Sequence, residues 1–153
     1  MKLIYDEALV EDYVDYAGEI IKNHVRIGYL PQELSQEEKE LTAYEFMCAD
    51  KGKSDSGNES LFLETDVAEL SQISRQLKMP LEIFYSEQLL RQMSGGEKIK
   101  LQLACILINK PDVLLLDEPS NDLDINTVCW LENFIKESHL PILYISHDEV
   151  LLE

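Results

Sequence analysis

A chain of 153 residues with 45% apolar side chains is long enough for one domain with its own core. Thirteen basic against 30 acidic side chains give a formal charge of −17, which repels nucleic acid and anionic membranes, so direct nucleic-acid binding by this chain is not expected. The longest apolar runs fall far short of the roughly 20 residues that span a bilayer, and Met1 is not followed by a signal-peptide core; a cytoplasmic location without membrane insertion is expected. The three cysteines, Cys48, Cys105 and Cys129, lack CxxC spacing and are expected to be buried free thiols in a reducing compartment.

From Met1 to Ala17 acidic residues alternate with Leu3, Ile4, Leu9, Val10, Tyr13 and Val14 at roughly helical spacing, which predicts a helix ending before Gly18. Two short β segments follow, Glu19–Lys22 and Val25–Leu30; Pro31 closes the second and Gln32 comes directly after. Between Glu33 and Gln92 the composition turns acid-rich and helix-favouring. Helices are expected near Leu41–Ala49 and Leu61–Leu77, separated by the polar loop Asp50–Ser60, with a shorter segment after Pro80. Within that loop Gly52-Lys53-Ser54 has the last letters of the phosphate-binding pattern G-x-x-x-x-G-K-[ST]. Met47 stands where its first glycine belongs and no apolar strand precedes it, so a solvated loop lysine is expected.

Ser94 is placed to cap a helix starting near Gly95, and Gly95 and Gly96 let an anion approach the N–H groups left unpaired at that end. Ile99, Leu103, Ile106 and Leu107 recur at helical spacing, with Glu97, Lys98, Lys100 and Gln102 on the wetter side. Pro111 and Asp112 end this helix. Val113-Leu114-Leu115-Leu116 is then the continuous apolar run required of a strand buried on both faces of a parallel sheet. Asp117 and Glu118 emerge at its carboxyl end, outside which ligands of open α/β sheets bind. One carboxylate there can hold Mg²⁺ and the other can orient or deprotonate a water. Beyond the polar turn ending at Asp124, Val128, Leu131, Phe134 and Ile135, with Cys129 and Trp130 alongside, predict a core-packed helix. Pro141–Ser146 is a last apolar strand that delivers His147 and Asp148 to the same edge, whereas His24 and His139 are expected at the surface.

Taken together, IGYLPQE, SGGE, LLLDEP, SNDLD and YISHDE, in that order, resemble the Q-loop, signature motif, Walker B strand, D-loop and H-switch of ABC-type ATPases. The resemblance runs from Ile27 to Leu152 and implies an α/β fold. That fold is a partial P-loop NTPase (RecA-like) parallel sheet core, residues 1–32 and 111–153, with an inserted α-helical subdomain, residues 33–110. It also implies ATP and Mg²⁺ as cofactors. By resemblance Asp117 and Gln32 serve Mg²⁺, Glu118 is the catalytic base, and His147 contacts the γ-phosphate. Gln32 further touches the attacking water and links the catalytic core to the helical subdomain. Ser94, Gly95, Gly96 and Glu97 would face an ATP held by a second nucleotide-binding domain paired head to tail, and Asp124 would lie in the loop that couples the two sites.

Within that family SGGE rather than SGGQ, SNDLD, and the ending WLENFI…PILYISHDE look most like the ABC-F group, soluble tandem ATPases that act on the ribosome in translation or antibiotic resistance. The full-length protein would then have the ribosome as partner. The alternatives are the ATP-binding subunit of a membrane transporter and a truncated, inactive chain that only donates its signature face. No complete P-loop pattern occurs in the 153 residues, and MKLIYDEAL resembles the middle of the helix that follows it in this family. A fragment of a longer domain is therefore expected, with weak ATP binding on its own.

Overall fold

The computed structural model describes residues 25–49, 60–121 and 123–145. The expected helix over Met1–Ala17, the β segment Glu19–Lys22, the Gly52-Lys53-Ser54 loop and His147 lie outside them. Among the described residues, three strands form one parallel sheet in the order β1 (Ile27–Leu30), β2 (Val113–Asp117) and β3 (Ile142–Ile145). The register sets Leu30 opposite Leu116, and Asp117 opposite Ile145. The middle place of β2 accounts for its composition. Paired along both edges and covered on both faces, it tolerates apolar side chains at every position, and Leu114, Leu115 and Leu116 are at most 3% exposed. β1 begins later than expected because Arg26 turns its N–H to the Asp112 carboxylate at 2.8 Å.

Between β1 and β2 lie α1 (Gln36–Lys39), α2 (Ala43–Cys48), α3 (Leu61–Glu64), α4 (Val67–Gln76), 3₁₀ turns at Leu81–Tyr85 and Leu90–Gln92, and α5 (Gly95–Ile108). Helix starts follow local chemistry. Ser35 with Glu38 and Thr42 with Glu45 form capping boxes, and Asp66 accepts from the Glu69 N–H. The Asp66 cap also divides the single helix expected over Leu61–Leu77: Thr65 and Asp66 are extended, and α4 starts afresh after them. α4 and α5 end alike, with Lys78 and Lys110 in the left-handed region (φ 50° and 49°), the conformation that closes a helix and that glycine usually adopts.

α5 is where sheet and helical insert meet. Ile99 and Leu103 are buried as expected, but Leu101 and Ala104 are fully buried as well, while Ile106 and Leu107 are only partly so. Contact with β1 on one side and with α3 and α4 on others covers more of the helix than one stripe. Gln102, expected on the wetter side, is buried; its amide donates to the Lys98 carbonyl at 3.2 Å, which satisfies it within its own helix. The cysteines are free thiols as expected, yet none is fully buried, and Cys129 is exposed. On α6 (Ile125–Glu137), which joins β2 to β3, the buried stripe is Trp130, Leu131 and Phe134, and Cys129 lies off it. Among the described residues no helix is long and apolar enough to cross a membrane.

At Gly28 β1 lies close against α5. A Cβ there would run into Ile106 Cγ2 and lie 2.8 Å from Leu114 Cδ2 and 3.2 Å from Pro111 Cβ. Gly28→Ala is expected to lower the unfolding free energy by about 1–3 kcal/mol in urea titration. Ile106→Ala in the same chain should recover part of that loss, and an undiminished single variant would show that α5 has room to retreat.

Candidate functional site

Parallel pairing points the carboxyl ends of β1, β2 and β3 the same way, so the residues that follow them share one edge. β1 leads through Pro31 to Gln32, which is exposed, and β2 ends on Asp117 with Glu118 next. The sheet thus brings Gln32, Asp117 and Glu118 to a common edge. β3 ends at Ile145, and His147 lies outside the described residues.

Asp117 is half-buried and accepts a hydrogen bond from the Tyr29 hydroxyl at 3.1 Å. Burial first, then this bond and the charge of Asp117, push the phenol up to about 12, so Tyr29 stays a neutral donor. Tyr29 pairs with Leu115, which makes Asp117 its diagonal neighbour on the same face of the sheet. Sequence reasoning missed Tyr29, because only the register reveals that neighbour.

Glu118 has φ 46°, a left-handed conformation that costs a residue with a side chain about 1–2 kcal/mol. Its N–H donates to the Ile145 carbonyl at 2.9 Å, its own carbonyl accepts from the Asn121 N–H at 3.2 Å, and its carboxylate accepts from the Asn121 amide at 3.4 Å. These bonds turn the chain sharply off β2. A strained acidic residue beside a second carboxylate at a sheet's carboxyl edge makes this pair the candidate site. Half-buried carboxylate oxygens suit a hard divalent cation. No group of three or more His, Cys, Asp or Glu side chains is gathered among the described residues, so such a cation would complete its shell with oxygens from water or a ligand.

A second element stands at the start of α5. Ser94 Oγ accepts from the Glu97 N–H at 3.2 Å while the Glu97 carboxylate accepts from the Ser94 N–H at 2.9 Å. The hydroxyl proton of Ser94 remains available to an outside acceptor, and the first-turn N–H groups of Gly95 and Gly96 have no partner inside the helix. Both suit an anion at the positive end of the helix dipole. Asp124 caps α6, accepting from the N–H groups of Asn126 at 3.0 Å and Thr127 at 3.1 Å and from the Thr127 hydroxyl at 2.7 Å. That set of bonds, the hydroxyl foremost, holds the Asp124 carboxyl below the usual carboxylate range.

A cavity of about 440 Å³ opens between β1, α2, α3 and α5, with Tyr29, Phe46, Met47, Phe62 and Gln102 in its wall. None of Ser94, Gly95, Gly96, Asp117, Glu118 or Asp124 lines it. The candidate residues therefore lie at the sheet edge and the α5 turn, not in this hollow.

Residues 3–121 match the family described as "ABC transporter". Over 140 residues the chain is 33% identical to ATP-binding protein Uup of Buchnera aphidicola subsp. Schizaphis graminum, a match covering 92% of this chain and 22% of that protein. ABC transporter F family member 5 of Arabidopsis thaliana is 41% identical over 68 residues, 44% of this chain and 10% of that protein. The chain thus spans about a fifth or less of the length of these curated relatives. A solved nucleotide-free ATP-binding cassette from an ABC transporter shares the fold, with TM-score 0.60 and 21% identity over 82% of this chain and 53% of its own.

The lowered Asp124 carboxyl has a consequence for stability. Its contribution is present above the ordinary aspartate value near 3.9 and is lost as pH falls through the lower folded value. Asp124→Asn keeps a capping oxygen and removes the titration. Between about pH 5 and pH 3 the wild-type chain is therefore expected to lose stability more steeply than Asp124→Asn in urea unfolding, and parallel curves would contradict the assignment.

Proposed function

The chain belongs to the ABC transporter family of ATP-binding proteins, and from that membership we propose that it forms part of the ATP-binding and ATP-hydrolysing domain of an ABC-F-type ATPase working in translation or ribosome-protecting antibiotic resistance. In this reading residues 1–32 and 111–153 belong to the sheet core and 33–110 to the helical subdomain. The observation that carries it is the convergence of Gln32, Asp117 and Glu118 at one edge, beside an α5 turn built to receive an anion. Likeness to Uup and to an F-family member supports the subgroup.

The residues present fit MgATP. Tyr29 occupies one oxygen of Asp117 and leaves the other free for a cation, with Gln32 on the neighbouring strand end. Mg²⁺, when bound, supplies positive charge against the phosphates. Glu118 orients the attacking water and accepts its proton, and His147 steadies the γ-phosphate. The Ser94 hydroxyl and the Gly95 and Gly96 N–H groups, held in place by Glu97, contact an ATP carried by a second nucleotide-binding domain docked head to tail. Asp124, at the end of the turn leaving Glu118, couples the two sites. With no complete P-loop pattern among the 153 residues, the main phosphate cradle is supplied from outside them. The ribosome is the partner of the full-length protein, and the cytoplasm its location.

Calorimetry of MgATP against the 153-residue chain is expected to give a dissociation constant weaker than about 1 mM, under about 4 kcal/mol of binding free energy. Micromolar affinity would overturn the divided site. In the longer ATPase, Glu118→Gln is expected to retain ATP and cut hydrolysis by about 10²–10⁴-fold, with ATP-dependent co-sedimentation of the wild type with ribosomes. Unchanged hydrolysis removes Glu118 from its role, and co-purification with a membrane subunit in place of ribosomes makes the chain part of a transporter.

A further inference from the structure

Thr127 sits where the two elements of the proposed site meet. Its hydroxyl donates to Asp124 Oδ2 at 2.7 Å and its N–H donates to Asp124 Oδ1 at 3.1 Å. On its other side is Gly96, which is buried: a Cβ built there would lie 2.6 Å from Thr127 Oγ1 and 3.0 Å from Thr127 Cγ2. The threonine side chain thus fills the hollow that the glycine leaves. One turn further on, the Lys100 ammonium lies 4.6 Å from the centroid of the Trp130 ring. Lys100 follows Gly96 by one helical turn and Trp130 follows Thr127 by one, so α5 and α6 touch rung by rung, and Gly96 against Thr127 is the rung nearest the ligand-facing ends.

We propose that Thr127 is a positioning residue that holds the Ser94–Gly96 turn and the Asp124 turn at one fixed separation, so that the two move as a single body. Its functional consequence rests on the reading above. The Ser94–Gly96 turn faces the partner's ATP, while the Asp124 turn begins at Glu118, which faces this domain's own. A rigid rung between them couples the occupancy of one site to the geometry of the other. Hard contact transmits such a displacement because packed side chains do not compress. The hydroxyl adds direction, since it orients the Asp124 carboxylate as well as filling space.

Amide hydrogen exchange on the 153-residue chain tests the rung without nucleotide. Thr127→Val keeps the shape and removes the hydroxyl; it is expected to speed exchange at the bonded amides of Glu97, Asn126 and Thr127 about tenfold while leaving β2 unchanged, and Thr127→Ser should stay near wild type. Gly96→Ala should destabilise the chain in urea, and adding Thr127→Ala should cost less than the sum of the two single losses, because the opposing Cβ would then lie at 3.4 Å, an ordinary contact. Uniform acceleration across the chain, no acceleration, or strictly additive losses in the double variant would each overturn the proposal. In the longer ATPase, Thr127→Val should lower kcat with KM for ATP unchanged, and Thr127→Ser should restore it. If exchange responds but Glu118→Gln leaves hydrolysis intact, the ATPase assignment fails and the rung stands; if exchange does not respond, the rung fails whatever the ATPase does.

Discussion

Everything at the proposed site hangs from the pairing of β2 on both its edges. Parallel ladders to β1 and β3 bury three successive leucines, each contributing roughly 1.5–3 kcal/mol relative to exposure. That same ladder determines where the chain can become polar again. Asp117 is still paired with Ile145 and Glu118 still donates to the Ile145 carbonyl, so the two carboxylates are held by the strand that buries the leucines. α5 leads into β2 at one end and the turn to α6 leaves it at the other. The separation between the Ser94 turn and the Asp124 cap is therefore set by how α5 and α6 pack on each other.

Charge sharpens the contrast between the chain as a whole and this edge. A formal charge of −17 repels a polyphosphate at long range, although salt screens most of that repulsion beyond about 8–10 Å. At short range the donors matter more: a hydroxyl and first-turn N–H groups at α5, together with the cation that Asp117 would hold. The turn at Glu118 also runs against local preference, because its left-handed backbone suits glycine. Keeping a glutamate there costs stability that the fold supplies through β2.

Several of the residues serve the fold and the proposed chemistry together. Ser94 and Glu97 complete a capping box and Asp124 caps α6, tasks sufficient to explain those side chains without any ligand. Capping nevertheless leaves the outward donors of α5 in place, so structural and ligand-facing roles use different atoms of the same turn. Tyr29 is comparable: its ring packs beside β2, and its hydroxyl fixes one oxygen of Asp117.

Local chemistry made much of this legible in the sequence. Ser94 before two glycines, the apolar run Val113–Leu116 and the acidic pair after it announced a capped helix, a doubly covered strand and two carboxylates at its carboxyl end, because each depends on residues adjacent in the chain. Composition likewise separated the helix-rich stretch after Gln32 from the strands around it. What lay beyond reach depends on contacts between distant residues. The extended break at Thr65-Asp66, the burial of Gln102, Leu101 and Ala104, and the exposure of Cys129 follow from which helix faces are covered, and periodicity alone does not say how many. Register alone brings Tyr29 to Asp117, and helix packing alone seats Thr127 against Gly96. A strand's sequence specifies that it will be buried; only the folded sheet decides which side chain stands across from it.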